Sequence, residues 1–396
     1  MPGLKPTMDE KQLISFTQAL IRARSYSGEE RQAVSLIVQE MERLGFDRVW
    51  VDDTGSAVGL IQGARPGKTL LLDGHCDTVV ANPADWSVDP FAGVIAGDRL
   101  YGRGTADMKG SLAAMIHAAA GLDRTALSGN VLVSATVLEE VMEGMALERV
   151  IQSVKPDFVI IGEATNFAVN RGGRGRAEII FETIGKSAHS SSPQAGICAV
   201  HRMLELIPHI EGAELPADPV VGSAQMVLTD IKSEPYPGHS VVPNSCRVSY
   251  DRRLMPGETP QSVLAAFEGL PAEAHAEAHA EAQYHVSILA GEETSYTGQT
   301  LRGMKFFPAW KFAEDHILVE SALNGLKRAG TETHLGSYNF CTNGSYSAGV
   351  AGIPTIGFGP GFETDAHTVD ENIKISDLLT AANGFAAAAQ AILESA

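Results

Sequence analysis

The chain has 396 residues, of which 44% are apolar and 20% charged, the composition of an ordinary globular protein rather than a disordered one. At this length about two domains are expected. With 30 basic residues against 48 acidic ones the net charge is -18, which argues against nucleic acid or an anionic membrane as the main partner.

The opening "MPGLKPTMDEKQLISF" lacks an apolar core of signal-peptide length. No stretch reaches the roughly 18 apolar residues that a membrane span requires. Cys76, Cys198, Cys246 and Cys341 are scattered without a CxxC pair. Free thiols in a reducing, cytoplasmic compartment are therefore expected rather than a disulfide frame.

Helical spacing of Leu, Ile, Val and Met covers residues 9–24 and 28–45, with "SYSGEE" as the break between them. Strand-like runs follow: "RVWVDD", "AVGLIQG" and "TLLLDGHCD". After a loop rich in Pro, Asp and Trp, "SLAAMIHAAAGL" reads as a buried helix. Strand "NVLVSATVL", helix "MALERVIQSV" and strand "DFVIIGEA" complete an alternation typical of an α/β domain with a largely parallel sheet.

The texture changes near Arg176. "RAEIIFETIGKSAHSSSP" reads as a strand, a Gly turn, a second short strand and a loop, and "GICAVHRMLELIPHI" as an amphipathic helix. The runs "SAQMVLTDIKS" and "SCRVSYDRRLMP" alternate as half-buried strands, and "ETPQSVLAAFEGL" is a second helix. One sheet with two helices makes an α+β unit inserted into the α/β domain. The expected division is 1–175 and 294–396 for the first domain, with 176–293 inserted. In the low-complexity run "AEAHAEAHAEA" at 272–282, His275 and His279 have the i, i+4 spacing of a metal-binding helix face. A solvated linker is the better reading, and they are left out of the site.

Polar residues with metal chemistry collect where the strand-like runs end. "LLLDGHCDTV" closes on His75 and Asp77, and "LYGRGTADMKG" sets Asp107 just before a helix. "VLEE" carries Glu139 and Glu140, "VIIGEAT" carries Glu163, and "GFETDAHT" carries His367. In open α/β sheets, ligands bind outside the carboxyl ends of the strands. Taken singly, each residue is ordinarily a cap or a solvated loop residue. Two adjacent glutamates leaving an apolar strand are different, because both resist desolvation and repel each other unless a positive charge sits beside them. A cation explains all of them together.

The motifs "GHCDT", "YGRGTADMKG", "LEE", "GEAT", "GKSAHSSSP" and "DAHT", in this order, resemble the M20 family of co-catalytic zinc hydrolases over nearly the whole chain. That family includes glutamate carboxypeptidases, aminoacylases, acetylornithine deacetylases and succinyl-diaminopimelate desuccinylases. "WKFAEDHILVESAL" and "CTNGSYSAGVAGIPTIGFGPG" look most like uncharacterised hydrolases of the deacetylase and desuccinylase type. The resemblance implies a zinc-exopeptidase-like catalytic domain and an inserted ferredoxin-like domain serving as lid and dimerisation module. It implies two Zn²⁺ per chain, with Co²⁺ or Mn²⁺ as substitutes. Asp107 would bridge them, His75 and Glu163 completing one site and Glu140 and His367 the other. Asp77 would orient the His75 ring through its second nitrogen. Three carboxylates and two neutral histidines around two dications leave a net charge of about +1, enough to hold hydroxide. Glu139 would then be the general base.

In the inserted domain, the resemblance gives His189 of "GKSAHSSSP" the role of reaching a partner subunit's active site and stabilising the oxyanion, which implies a homodimer. Asn244 and Arg253 match positions that bind the substrate's carboxylate or backbone, a geometry that an arginine fork suits. Thr342, Asn343 and Gly344 would line the pocket, whereas Arg171, Arg174 and Arg176 are left undecided. One departure is Ala164, which follows Glu163 where the family usually has Pro. The first functional expectation is a dinuclear zinc amidohydrolase acting on an N-acyl amino acid, with a dipeptidase or carboxypeptidase second. A catalytically silent small-molecule-binding dimer is the reading from another class. Phosphate-loop, Rossmann and nucleophile-elbow motifs are absent from the sequence.

Overall fold

The computed structural model describes residues 9–270 and 284–395, so His275 and His279 lie outside the described residues. Two compact units divide the chain. One takes in the chain up to Gly173, Glu292–Arg302 and the chain from Trp310. The other takes in Arg174–Gly291 and Gly303–Ala309. Residues 303–309, which the sequence reading assigned to the last catalytic segment, fall in the second unit because Phe306 and Phe307 pair with Ala177 and Arg176 of its sheet.

The first unit is built on a nine-stranded mixed sheet. Its centre is parallel: Arg65–His75 lies between Ser128–Thr136 and Phe158–Ile161, and Thr355–Gly357 runs parallel to the last of these. Towards their carboxyl ends these strands are buried on both faces, as a sheet covered on both sides requires. Two antiparallel strands, Arg48–Val51 and Ala57–Gln62, extend one edge. The helix Lys109–Ala120 is buried along almost its whole length in the main core, together with Glu10–Arg22 and the long C-terminal helix Ile375–Ser395. Asp9 caps the first helix by accepting from the N–H groups of Lys11 and Gln12. At that helix's other end the buried Lys109 Nζ donates to the carbonyls of Leu20 and Ala23, filling acceptors that helix ends leave open. Burial lowers the Lys109 amine to about 8.

One strand ends earlier than its composition predicts. The apolar run was expected to continue to Leu138, but the strand stops at Thr136 and Leu138 turns into the left-handed region at φ 59°. Bulky residues rarely occupy that region. This early turn sets where Glu139 and Glu140 emerge.

The second unit has a five-stranded antiparallel sheet in which Gly175–Ile184 lies between Ser245–Leu254 and Tyr284–Ile288, with Gln225–Glu234 outermost. The helix Ala199–Glu211 packs Met203, Leu206 and Ile210 into a core of its own with Phe181, Val248 and Phe267. The helix Pro260–Ala265 starts with a capping box between Thr259 and Ser262. The short second strand expected after Gly185 is reduced to isolated bridges at Lys186 and His189. None of the four cysteines forms a disulfide. Among the described residues, no helix is long and apolar enough to cross a membrane.

Candidate metal centre and active site

Register sets the site. His75 lies opposite Thr136 and Asp73 opposite Ile161, so three neighbouring parallel strands end together. Beyond those ends the chain supplies Asp77, then Glu139 and Glu140, then Glu163. Asp107 enters at the start of the helix Lys109–Ala120, and His367 from the loop after Thr355–Gly357. The polar groups thus gather at the carboxyl ends of the sheet, where α/β folds bind ligands.

The two oxygens of Asp107 face different histidines. Oδ1 lies 2.9 Å from His75 Nε2, which is also 3.3 Å from Glu163 Oε1. Oδ2 lies 3.2 Å from His367 Nε2, which is 3.0 Å from Glu140 Oε2. Glu139 stands at the rim of the first group, its Oε2 3.9 Å from His75 Nε2. Two overlapping sets, His75–Asp107–Glu140 and His75–Glu139–Glu163, are close enough to hold an ion. His75, Asp77 and Glu163 are buried, whereas the His367 side chain is 50% exposed and opens the cluster to solvent.

The electrostatics describe a centre short of positive charge. Burial pushes the Glu139 carboxyl well above its ordinary range. Burial and the charge of Asp107 raise Glu163 to about 7. Burial alone would depress His75, but Glu163 and Asp107 outweigh it and hold the ring well above its usual value. Hydrogen bonds to Asp107 and Glu140 lift His367 to about 10. Burial works to raise Asp107, yet His367 and His75 outweigh it and hold its carboxyl well below the usual range. Glu139 Oε1 and Glu163 Oε2 are buried with no hydrogen-bond partner. Buried carboxylate oxygens are costly unless paired or bound to a metal. Imidazole and carboxylate donors, with two such oxygens unsatisfied, fit divalent zinc, manganese or cobalt.

Residues 71–391 match the model of peptidase family M20/M25/M40. The chain belongs to that family. It is a hydrolytic enzyme, as its M20 relatives are. It is 34% identical over 380 residues to the uncharacterized protein YgeY of Escherichia coli K12, covering 94% of this chain and 92% of that one. To an acetylornithine deacetylase of Pectobacterium atrosepticum it is 30% identical over 325 residues, covering 77% and 75%. An M20 metallo-carboxypeptidase from Sulfolobus solfataricus shares the fold with a TM-score of 0.75 at 19% identity, covering 98% of this chain and 100% of that one.

Asp77 is tied into this M20 site differently from the sequence expectation. His75 Nδ1 meets the Asp77 backbone oxygen at 2.9 Å, while the carboxylate stands 3.6 Å away, beyond a hydrogen bond. A carbonyl only accepts, so Nδ1 carries a proton, and in the neutral ring that a bound cation would require Nε2 is the nitrogen whose lone pair faces the cluster. The Asp77 carboxylate is used elsewhere. It accepts from the backbone N–H of Glu139 at 3.1 Å and of Glu140 at 3.2 Å, and from Ser27 Oγ.

Two further buried carboxylates hold the site's backbone, and sequence reasoning passed over both. Glu371 Oε1 accepts from the N–H groups of Ala106 and Asp107, and its Oε2 pairs with Arg103 at 2.7 Å. Arg103 also donates to the His367 carbonyl, so one ion pair links the loops of two histidine-facing groups. Glu371 follows His367 by four residues in "HTVDE", which is the one sequence clue to it. Glu30 is the other, and it acts on the turn at Leu138.

Thr342, Asn343 and Gly344 are all buried. The Asn343 amide donates to Asp73 Oδ2 and Thr136 Oγ1 and accepts from the Gly144 N–H. Thr342 Oγ1 accepts from the Gly344 N–H. Their polar atoms knit the floor beneath the strand ends.

In the second unit His189 and Asn244 are exposed, whereas Arg253 holds Asp251 through Nε at 3.0 Å. The neighbouring Arg252 is buried against Glu258 and is structural. Arg171 and Arg174 bond backbone carbonyls, and Arg176 pairs with Asp251 and Glu178. His189 Nδ1 accepts from the Ser191 N–H at 3.1 Å, which leaves the proton of the neutral ring on Nε2.

Because His367 titrates at about 10 and Glu163 at about 7, a cation must displace protons to bind. Below those values the protonated forms dominate, so affinity rises with pH. Calorimetric titration with Zn²⁺ in buffers of different ionisation heat is expected to show proton release at both pH 6 and pH 8. Release is larger at pH 6, where Glu163 still carries its proton.

Proposed function

We propose that the protein is a dinuclear zinc amidohydrolase that removes the acyl group from an N-acyl amino acid. The observation that carries the reading is the division of the two Asp107 oxygens between His75 with Glu163 and His367 with Glu140. Those five side chains would hold two cations, with Asp107 between them. When bound, such a pair would lower the pKa of a bound water and polarise the scissile carbonyl.

The chain's own residues do the rest. Glu139, with one oxygen unpartnered at the rim of the cluster, takes the proton of the attacking water and passes it to the departing nitrogen. Asp77 contributes by fixing the His75 tautomer and the backbone that carries Glu139 and Glu140. The Nε2–H of His189, from a second copy of the chain, donates to the carbonyl oxygen as charge develops there. Asn244 and Arg253 bind the carboxylate of the amino acid. Deacylation is preferred to peptidase action because sequence identity extends to a protein named as a deacetylase, while the likeness to the carboxypeptidase is one of fold.

A second copy has a surface to join. Gln225–Glu234 is the outer strand of the second unit's sheet and exposes Val227 and Ile231. Such an edge is a ready template for strand pairing, and pairing two copies there gives a homodimer.

Glu139→Gln should keep both metals and lose about 10²- to 10⁴-fold in kcat. The check is a pool of N-acetyl, N-formyl and N-succinyl amino acids with dipeptides, its products read by mass spectrometry. Release of one amino acid class by the wild type and not by the variant supports deacylation. Cleavage of dipeptides alone would move the reading to a peptidase, and undiminished turnover in the variant would remove Glu139 as the base.

His189→Ala should lower kcat by about 10²- to 10³-fold with a smaller change in KM. Mixed dimers of His189→Ala and Glu139→Gln chains should recover part of the activity, since one of their two sites is intact. Verified mixed dimers with no recovery would show that His189 does not act across chains.

A further inference from the structure

The segment "SYSGEE", which punctuates two helices in the sequence, runs against the metal-centre strand ends. Ser25 Oγ donates to the Cys76 carbonyl and Ser27 Oγ to Asp77 Oδ2. Glu30 is fully buried, and its Oε1 accepts from the N–H of Gly28 at 2.8 Å and of Leu138 at 3.2 Å. The bland account of Glu30 is an acid at the start of the helix Arg31–Arg43, where the helix dipole favours it. Its carboxylate, however, makes no capping hydrogen bond to that helix. It reaches a backbone 108 positions away instead.

The three consecutive N–H groups at 138, 139 and 140 are all taken by buried carboxylates, the first by Glu30 and the next two by Asp77. Leu138 sits there with φ 59°. A bulky residue keeps that conformation only where its surroundings over-determine it. Without an acceptor for its N–H, Leu138 would relax toward an extended conformation, and the directions of Glu139 and Glu140 would change together. We propose that Glu30 is a positioning residue for the Glu139–Glu140 turn, holding Leu138 in the left-handed conformation from which both glutamates join the cluster. The inference rests on the dinuclear reading above and adds to it a residue that touches neither metal nor substrate.

The test is Zn²⁺ binding, by competition with a chromophoric chelator, alongside kcat on the acyl amino acid the wild type cleaves. Glu30→Ala is expected to weaken one of the two Zn²⁺ sites at least tenfold, leave the other within threefold, and lower kcat ten- to a hundredfold. Glu30→Gln keeps an acceptor oxygen in place and should stay within about threefold of wild type in both readings. A glycine at 138 reaches the left-handed region without strain, so in a Leu138→Gly background the Glu30→Ala change should cost less than threefold in kcat. Equal losses in the two backgrounds, or unaltered Zn²⁺ binding in folded Glu30→Ala, would overturn the proposal while leaving the dinuclear reading intact. A Glu30→Gln variant as impaired as Glu30→Ala would overturn it too, because charge rather than the accepted hydrogen bond would then matter. If wild type binds fewer than two Zn²⁺, the underlying reading fails and this one with it.

Discussion

The constraint on which the rest depends is the crowding of carboxylates at one end of a buried parallel sheet. Asp107, Glu139, Glu140 and Glu163 surround His75 within a few ångströms, and burial resists the charge on each. Such a cluster is stable only if positive charge enters it or protons remain on it. The raised values of His75, His367, Glu139 and Glu163 show protons filling that need. A pair of divalent cations would meet it better and would turn a destabilising cluster into a hydrolytic centre.

Around that cluster the fold spends a second set of buried carboxylates on backbone rather than on metal. Asp77, Glu30 and Glu371 together accept from the N–H groups at 106, 107, 138, 139 and 140. These acids are buried beside a site already rich in carboxylates, at a cost in desolvation that raises Glu30 and Glu371 to about 7 and that Arg103 partly offsets for Glu371. The gain is geometric. Loops at strand ends are ordinarily mobile, and hydrogen bonds to consecutive N–H groups fix the direction in which each side chain leaves the chain.

Much of this was legible in the sequence, because it is written in local runs. The strands ending at His75 and near Glu139 and Glu163 show as short apolar stretches, and a parallel sheet brings their ends to one rim. The six residues now clustered could be picked out by that logic together with the family motifs. What stayed hidden depends on contacts between distant segments. Glu30 meets Leu138 and Glu371 meets Asp107 across separations of 108 and 264 positions. Ser27 and Glu30 also have the spacing of a helix capping box, so nothing local sets them apart from ordinary helix punctuation. The Gly- and Ser-rich loop around Asn343 likewise gives no sign of the three internal partners of its amide. The early end of one strand at Thr136 was invisible for the same reason, since Leu138 suits a strand by composition and is turned by Glu30 from outside.

In the proposed centre Asp107 would join two cations. Electron paramagnetic resonance of the protein titrated with Mn²⁺ addresses it most directly. Two equivalents bound to a shared carboxylate should give an exchange-coupled spectrum, which collapses to isolated six-line signals in Asp107→Asn. Isolated signals from the wild type at two equivalents, or saturation at one, would contradict a bridged pair and with it the account of the site.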